Sequence, residues 1–174
     1  MTFRQILREG LVTGLIGAAA IAAWFLLVDT VAGHPFYTPS MLGSALFWGL
    51  RDPAVVQVSF QAVAAYSMVH VLALVLVGTI AAAVAFQVER APSTLFLAIV
   101  LFAAHEFGFY IVVAVMAQPL LGALAWWAVA AGNAIAAAGM GYYLWREHPK
   151  LRETLAKHPL GAPVDESTDR IRHV

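Results

Sequence analysis

The stretch QVSFQAVAAYSMVHVLALVLVGTIAAAVAF, residues 57–86, decides the fold. It contains no Asp, Glu, Lys or Arg, and as an α-helix it is long enough to cross a bilayer core of about 30 Å. Composition agrees, because 61% of the 174 residues are hydrophobic and only 11% are charged, whereas soluble domains carry about a quarter charged residues. The sequence therefore predicts an integral membrane protein.

Three further apolar runs are long enough to span, at about residues 10–29, 94–117 and 120–145. Turns that contain proline separate the later runs and leave no room for another domain. We therefore expect an all-α bundle of four transmembrane helices in residues 1–146, followed by a partly disordered cytoplasmic tail, residues 147–174. Glycines in the first and fourth runs predict that these two helices pack closely.

Residues 39–50 form an apolar segment that is too short to span. Thr38 as N-cap and Pro39 at the first helical position predict a small helix in the outer membrane interface. An interfacial anchor is the favoured interpretation, and a lid over a site is the alternative. In the tail, His148 and His158 each precede a proline and are expected to be solvated surface histidines.

The distribution of basic residues predicts the topology. Arg4, Arg8, Arg90 and a group after residue 145 flank one side of the predicted spans, while the other side offers only Arg51 beside Asp52. We therefore expect a multi-pass protein of the cell inner (cytoplasmic) membrane with both termini in the cytoplasm. The expected partners are the lipid bilayer and other membrane proteins or further copies of the chain, and a net charge of zero argues against nucleic acid.

Three predicted helices carry a polar residue at similar depth: His70, His105 and Asn133. Polar residues inside a membrane are costly, so they are kept where they pair or function. The neighbouring polar side chains belong to Tyr66, Glu106 and Tyr110, and Asp29 and His34 lie at the outer end of the first helix. The chain has no cysteine, so any metal or haem must be held by His, Asp, Glu or Met.

Four interpretations of this midplane group stay open. His70 and His105 on facing helices suit axial ligation of a haem b. The same pair with Glu106 suits a divalent metal ion, although adjacent residues on one helix point about 100° apart. Glu106 could instead carry protons in a transporter component. Finally, Tyr66, Glu106, Tyr110 and Asn133 could be a hydrogen-bonded cluster that fixes the bundle.

The structural cluster needs the fewest assumptions, which favours a non-catalytic membrane subunit or accessory protein. No nucleophile–base pair or phosphate loop occurs in the exposed segments, so we predict no catalytic residues. The zinc-protease pattern HExxH also fails, because Phe109 stands four residues after His105. A protein that holds haem b or a metal through His70 and His105 is the alternative function, and a proton-coupled transporter component using Glu106 is a further one.

Overall fold

The computed structural model describes residues 3–91, 100, 103–104, 107–108, 111 and 126–157. This part of the chain is helical and contains no strand. Its elements, in chain order, are α1 (Phe3–Val31), α2 (Tyr37–Trp48), a short 3₁₀ turn (Pro53–Val55), α3 (Phe60–Arg90), α4 (Trp126–Glu147) and α5 (Pro149–Lys157).

Two helices, α1 and α3, are long and apolar enough to cross a membrane, with 29 and 31 residues. Within the described ranges, α4 does not reach the same apolarity over a comparable length. The predicted span at 94–117 lies almost entirely outside the described residues. In the described residues, the structure therefore confirms a helical fold with two candidate membrane spans, whereas the four-span bundle stays a prediction.

Local signals explain where α3 begins and ends. Ser59 is its N-cap, and the Ser59 side chain accepts a hydrogen bond from the Ala62 backbone N–H at 3.2 Å. The helix ends at Arg90, because Ala91 precedes a proline and adopts an extended conformation with φ −141°. The hydrophobic run places α3 correctly, but the helix begins three residues after the predicted residue 57 and ends four residues after the predicted residue 86.

Helices α1 and α3 touch backbone to backbone. A Cβ atom added to Gly78 of α3 would lie 2.5 Å from the Gly10 carbonyl oxygen and 2.7 Å from the Gly14 Cα. Small residues allow such an approach between helices in lipid, where packing has to replace the hydrophobic effect. Gly10 and Gly14 therefore contact α3, whereas the sequence assigned them to an interface with the fourth helix.

The predicted packing of α1 on α4 is nevertheless present. Gly17 leaves room for Met140, since a Cβ there would lie 2.6 Å from the Met140 sulfur. Farther along, the Trp24 indole N–H donates a hydrogen bond to the Ala128 carbonyl at 2.7 Å. These contacts place α1 between α3 and α4.

The prediction for the start of α2 was wrong. The helix begins at Tyr37, and its N-cap is Phe36, which has the left-handed φ of 65° and makes no side-chain cap. Six of its residues are buried, and Gly43 sits against the Ala62 carbonyl of α3. Instead of lying only in an interface, α2 packs on the bundle where α1 ends and α3 and α4 begin, which we call the loop end.

Candidate functional site

A cavity of about 800 Å³ lies between α1, α2, α3 and the first half of α4. Its described wall consists mainly of aliphatic and phenylalanine side chains, including those of Phe25, Leu42 and Val129. The polar exceptions come from four helices or their connections and are Asp29, Thr38, Tyr66, Ser67, His70 and Asn133. The cavity is therefore largely apolar with a few polar groups.

Asp29 joins α1 to α2 at the loop end of this cavity. Its carboxylate accepts hydrogen bonds from the Thr38 backbone N–H at 2.7 Å and from the Thr38 hydroxyl at 2.6 Å. Both residues are buried, with 4% of Asp29 exposed. The carboxylate thus satisfies one of the backbone N–H groups that the first turn of a helix leaves without a partner. Thr38, predicted to be the cap, is instead a residue that Asp29 caps.

His34, the second predicted residue at the outer end, does not join the cavity. Its side chain is exposed, and its ring centroid lies 6.1 Å from that of Tyr37. The tilt between the two rings is 54°. Asp29 and His34 are five residues apart in the chain but lie in different environments.

Deeper in the cavity, Tyr66 and His70 of α3 form a stacked pair. Their ring centroids are 5.7 Å apart and the ring planes differ by 21°. The His70 Nε2 atom lies 3.4 Å from the Ala18 carbonyl oxygen of α1. Asn133, which is 9% exposed, reaches the same cavity from α4. The structure therefore brings three of the predicted polar residues to one cavity wall.

The other half of the predicted midplane group lies outside the described residues. These positions are His105, Glu106 and Tyr110, whereas Gly108 between them is described and borders the cavity. Among the described residues, no three side chains of His, Asp or Glu are arranged to hold a metal ion. The predicted haem or metal ligation by His70 with His105 therefore stays a prediction.

A second polar site lies at the opposite end, where α1 begins and α3 and α4 end; we call this the basic end. His148 stands between α4 and α5, and only 2% of it is exposed. Its Nε2 atom is 3.0 Å from a Glu9 carboxylate oxygen of α1, and its Nδ1 atom is 3.0 Å from a Glu89 carboxylate oxygen of α3. The expectation of a solvated His148 was wrong.

In the Glu9–His148–Glu89 cluster, the two carboxylates face the two nitrogens of one buried imidazole ring. Each carboxylate oxygen is a hydrogen-bond acceptor for the ring nitrogen that it faces. The two carboxylates approach opposite sides of the ring, so one ion bound to a ring nitrogen could not reach both of them.

The chain matches no protein-family model, and neither a curated protein nor a solved structure matches it. Its chemistry must therefore be argued from the two sites. The Glu9–His148–Glu89 cluster ties three helices together and is largely buried, whereas the cavity has volume for a ligand and polar groups at its wall. The cavity is the candidate functional site.

Proposed function

We propose that this protein is a non-catalytic, multi-pass protein of the cytoplasmic membrane that holds a largely apolar small molecule in the cavity between α1, α2, α3 and α4. The cavity is the single observation that carries the proposal. Small-molecule sites usually measure about 300–1,000 Å³ and combine an apolar lining with a few polar groups that orient the ligand. The volume of about 800 Å³ and the mixed wall fit this description.

The composition of the wall narrows the class of ligand. A strongly charged molecule would lose its hydration in this cavity without gaining a matching set of charges. The carboxylate of Asp29 is engaged by Thr38, and other polar groups of the wall, such as those of Tyr66 and Asn133, are uncharged. The ligand we propose has an apolar body and one or two uncharged polar groups, such as a carbonyl or a hydroxyl.

One feature supports placing the cavity in a membrane, and a second supports the orientation of the chain. Exposed aliphatic side chains cover α3, and Leu72 and Leu76 are examples that are 64% and 63% exposed. Surfaces of this kind suit hydrocarbon rather than water. The basic residues concentrate at the end where α1 begins, which favours a cytoplasmic location for both termini.

The position of His70 on the cavity wall favours a second candidate, a haem b held by His70 and the predicted partner His105. Tyr66 stacks on the face of the His70 ring, and the Nε2 atom at the edge of that ring lies near the Ala18 carbonyl oxygen. Ligation of a haem by His70 would therefore require the imidazole to lose its contact with that oxygen. A haem would identify itself by a Soret band that His70→Ala removes.

The test is to purify the full chain from membranes in a mild detergent, extract bound molecules and identify them by mass spectrometry. Ala73→Leu adds three carbon atoms at the cavity wall, while Ala64→Leu adds the same atoms to a position of α3 outside the lining. We expect an apolar molecule that copurifies with the wild type and with Ala64→Leu but is depleted from Ala73→Leu. Equal recovery of the same molecules from all three proteins would contradict the proposal.

A further inference from the structure

The basic end carries an excess of exposed positive charge. Among the residues whose exposure is described, its exposed basic residues are Arg4, Arg8, Arg90, Arg146, Lys150 and Arg152, and its exposed acidic residues are Glu147 and Glu153. Six positive and two negative charges leave a surplus of four (6 − 2 = 4). The loop end has no such surplus, because exposed Arg51 stands beside exposed Asp52.

The Glu9–His148–Glu89 cluster accounts for half of this surplus, because two more exposed carboxylates would lower it from four to two (6 − 4 = 2). Each of its members has an exposed basic residue close by in sequence: Arg8 precedes Glu9, Arg90 follows Glu89, and Lys150 follows His148 by two residues. The two carboxylates that could neutralise these cations instead point inward to the buried imidazole. The cluster therefore separates charge, with carboxylates inside and guanidinium and ammonium groups outside.

Helix α5 is held in this arrangement by its own packing. Leu151 is 9% exposed and packs in one hydrophobic cluster with Ala85 and Val88 of α3 and Leu144 of α4. On the same helix, Lys150 and Arg152 are exposed. Because Leu151 and His148 fix α5 on the bundle, its two cations lie on the same end of the molecule as the arginines of α1, α3 and α4.

From this geometry we propose that the basic end binds anionic phospholipid headgroups, and that the Glu9–His148–Glu89 cluster maintains the binding surface. A membrane leaflet with anionic lipids attracts basic segments next to a span with about 1 kcal/mol per residue, or about fivefold in affinity. Guanidinium groups pair well with phosphate oxygens, and five of the six exposed cations are arginines. The proposal rests on the membrane location proposed above and does not depend on the cavity.

The experiment uses the full chain reconstituted in mixed micelles with equimolar phosphatidylglycerol and phosphatidylcholine. The purified protein is then analysed for the ratio of the two lipids that it retains. The wild type should retain phosphatidylglycerol in preference to phosphatidylcholine. In a Lys150→Gln, Arg152→Gln double variant, the ratio of retained phosphatidylglycerol to phosphatidylcholine should fall by up to about 25-fold, at about fivefold per residue. Arg51→Gln is the matched control at the loop end and should keep the wild-type ratio.

His148→Gln tests the part assigned to the cluster. It removes no exposed cation but frees at least one carboxylate, so the preference for phosphatidylglycerol should fall and added salt should weaken what remains. An unchanged ratio in the Lys150→Gln, Arg152→Gln variant would overturn the proposal, and an unchanged ratio in His148→Gln would overturn the part assigned to the cluster. A chain that retains neither lipid would instead contradict the membrane location on which the proposal rests.

Discussion

Replacing His148 by alanine should destabilise the bundle more than any other single histidine change in the described part of the chain. The substitution removes the one group that lies between the Glu9 and Glu89 carboxylates, whose side chains are 8% and 14% exposed. Removing one partner of a buried ion pair typically costs about 3–5 kcal/mol, because a charge is left without compensation. Since water can still reach part of Glu89, we expect a loss near the lower limit, about 3 kcal/mol.

The measurement is equilibrium unfolding of the full chain in mixed micelles, followed by far-ultraviolet circular dichroism. A loss of about 3 kcal/mol changes the unfolding equilibrium roughly a hundredfold. His34→Ala is the control, since His34 is exposed and a surface change should stay within about 0.5 kcal/mol. Adding Glu9→Gln and Glu89→Gln to the His148→Ala protein should recover much of the loss, because the uncompensated charges are gone. Equal stability of His148→Ala and His34→Ala would refute the account of the cluster.

Three further predictions concern packing, capping and topology. Gly78→Ala should lower the free energy of unfolding by about 1–3 kcal/mol, because the added Cβ would meet the backbone of α1. Gly141→Ala is the control and should be neutral or stabilising, since its Cβ would meet nothing within 4 Å. Equal unfolding midpoints of the two variants would contradict this prediction. Asp29→Ala should speed hydrogen exchange at the Thr38 amide and the first turn of α2 by about tenfold or more, and unchanged exchange would show that the cap contributes little. A reporter active only in the periplasm should be silent when fused after Val174, and strong activity would reverse the proposed topology.

The long helices were predictable because their apolar runs extend over many turns. The apolar runs did not predict the exact extent of α1, because this helix begins at Phe3 although the hydrophobic run begins near residue 10. Arg4 and Arg8 are good helix formers, so the helix continues after the hydrophobicity has ended. Hydropathy marks the membrane-compatible part of a helix, whereas backbone hydrogen bonding determines its full length.

The polar contacts were harder to predict because their partners are distant in the chain. His148 precedes a proline at a helix end, a pattern typical of exposed linkers, yet its partner Glu9 is 139 residues away and Glu89 is 59 residues away. The cap of α2 likewise comes from Asp29, nine residues before Thr38, on another helix. Local sequence signals cannot indicate such contacts, since they exist only after the helices that carry the partners have packed.

The convergence of Tyr66, His70 and Asn133 on one cavity was easier to anticipate, because helix geometry converts sequence distance into depth. The size of the cavity could not be anticipated in the same way. It depends on the placement of α2, whose sequence mainly predicts an interfacial anchor. With α2 packed on the loop end, Leu42 and Ala45 become part of the cavity wall.

Photolabelling tests the central claim most directly, because it reports whether an apolar molecule enters the cavity. The full chain is reconstituted in phosphatidylcholine vesicles, exposed to an alkyl probe that carries a diazirine and an uncharged carbonyl, irradiated and mapped by peptide mass spectrometry. We predict labels on the cavity face of α2, above all at Leu42, which is only 9% exposed, and loss of these labels in Ala73→Leu. Labels confined to exposed positions of α3 such as Leu72 and Leu76, with none at Leu42, would contradict the claim that the cavity holds an apolar ligand.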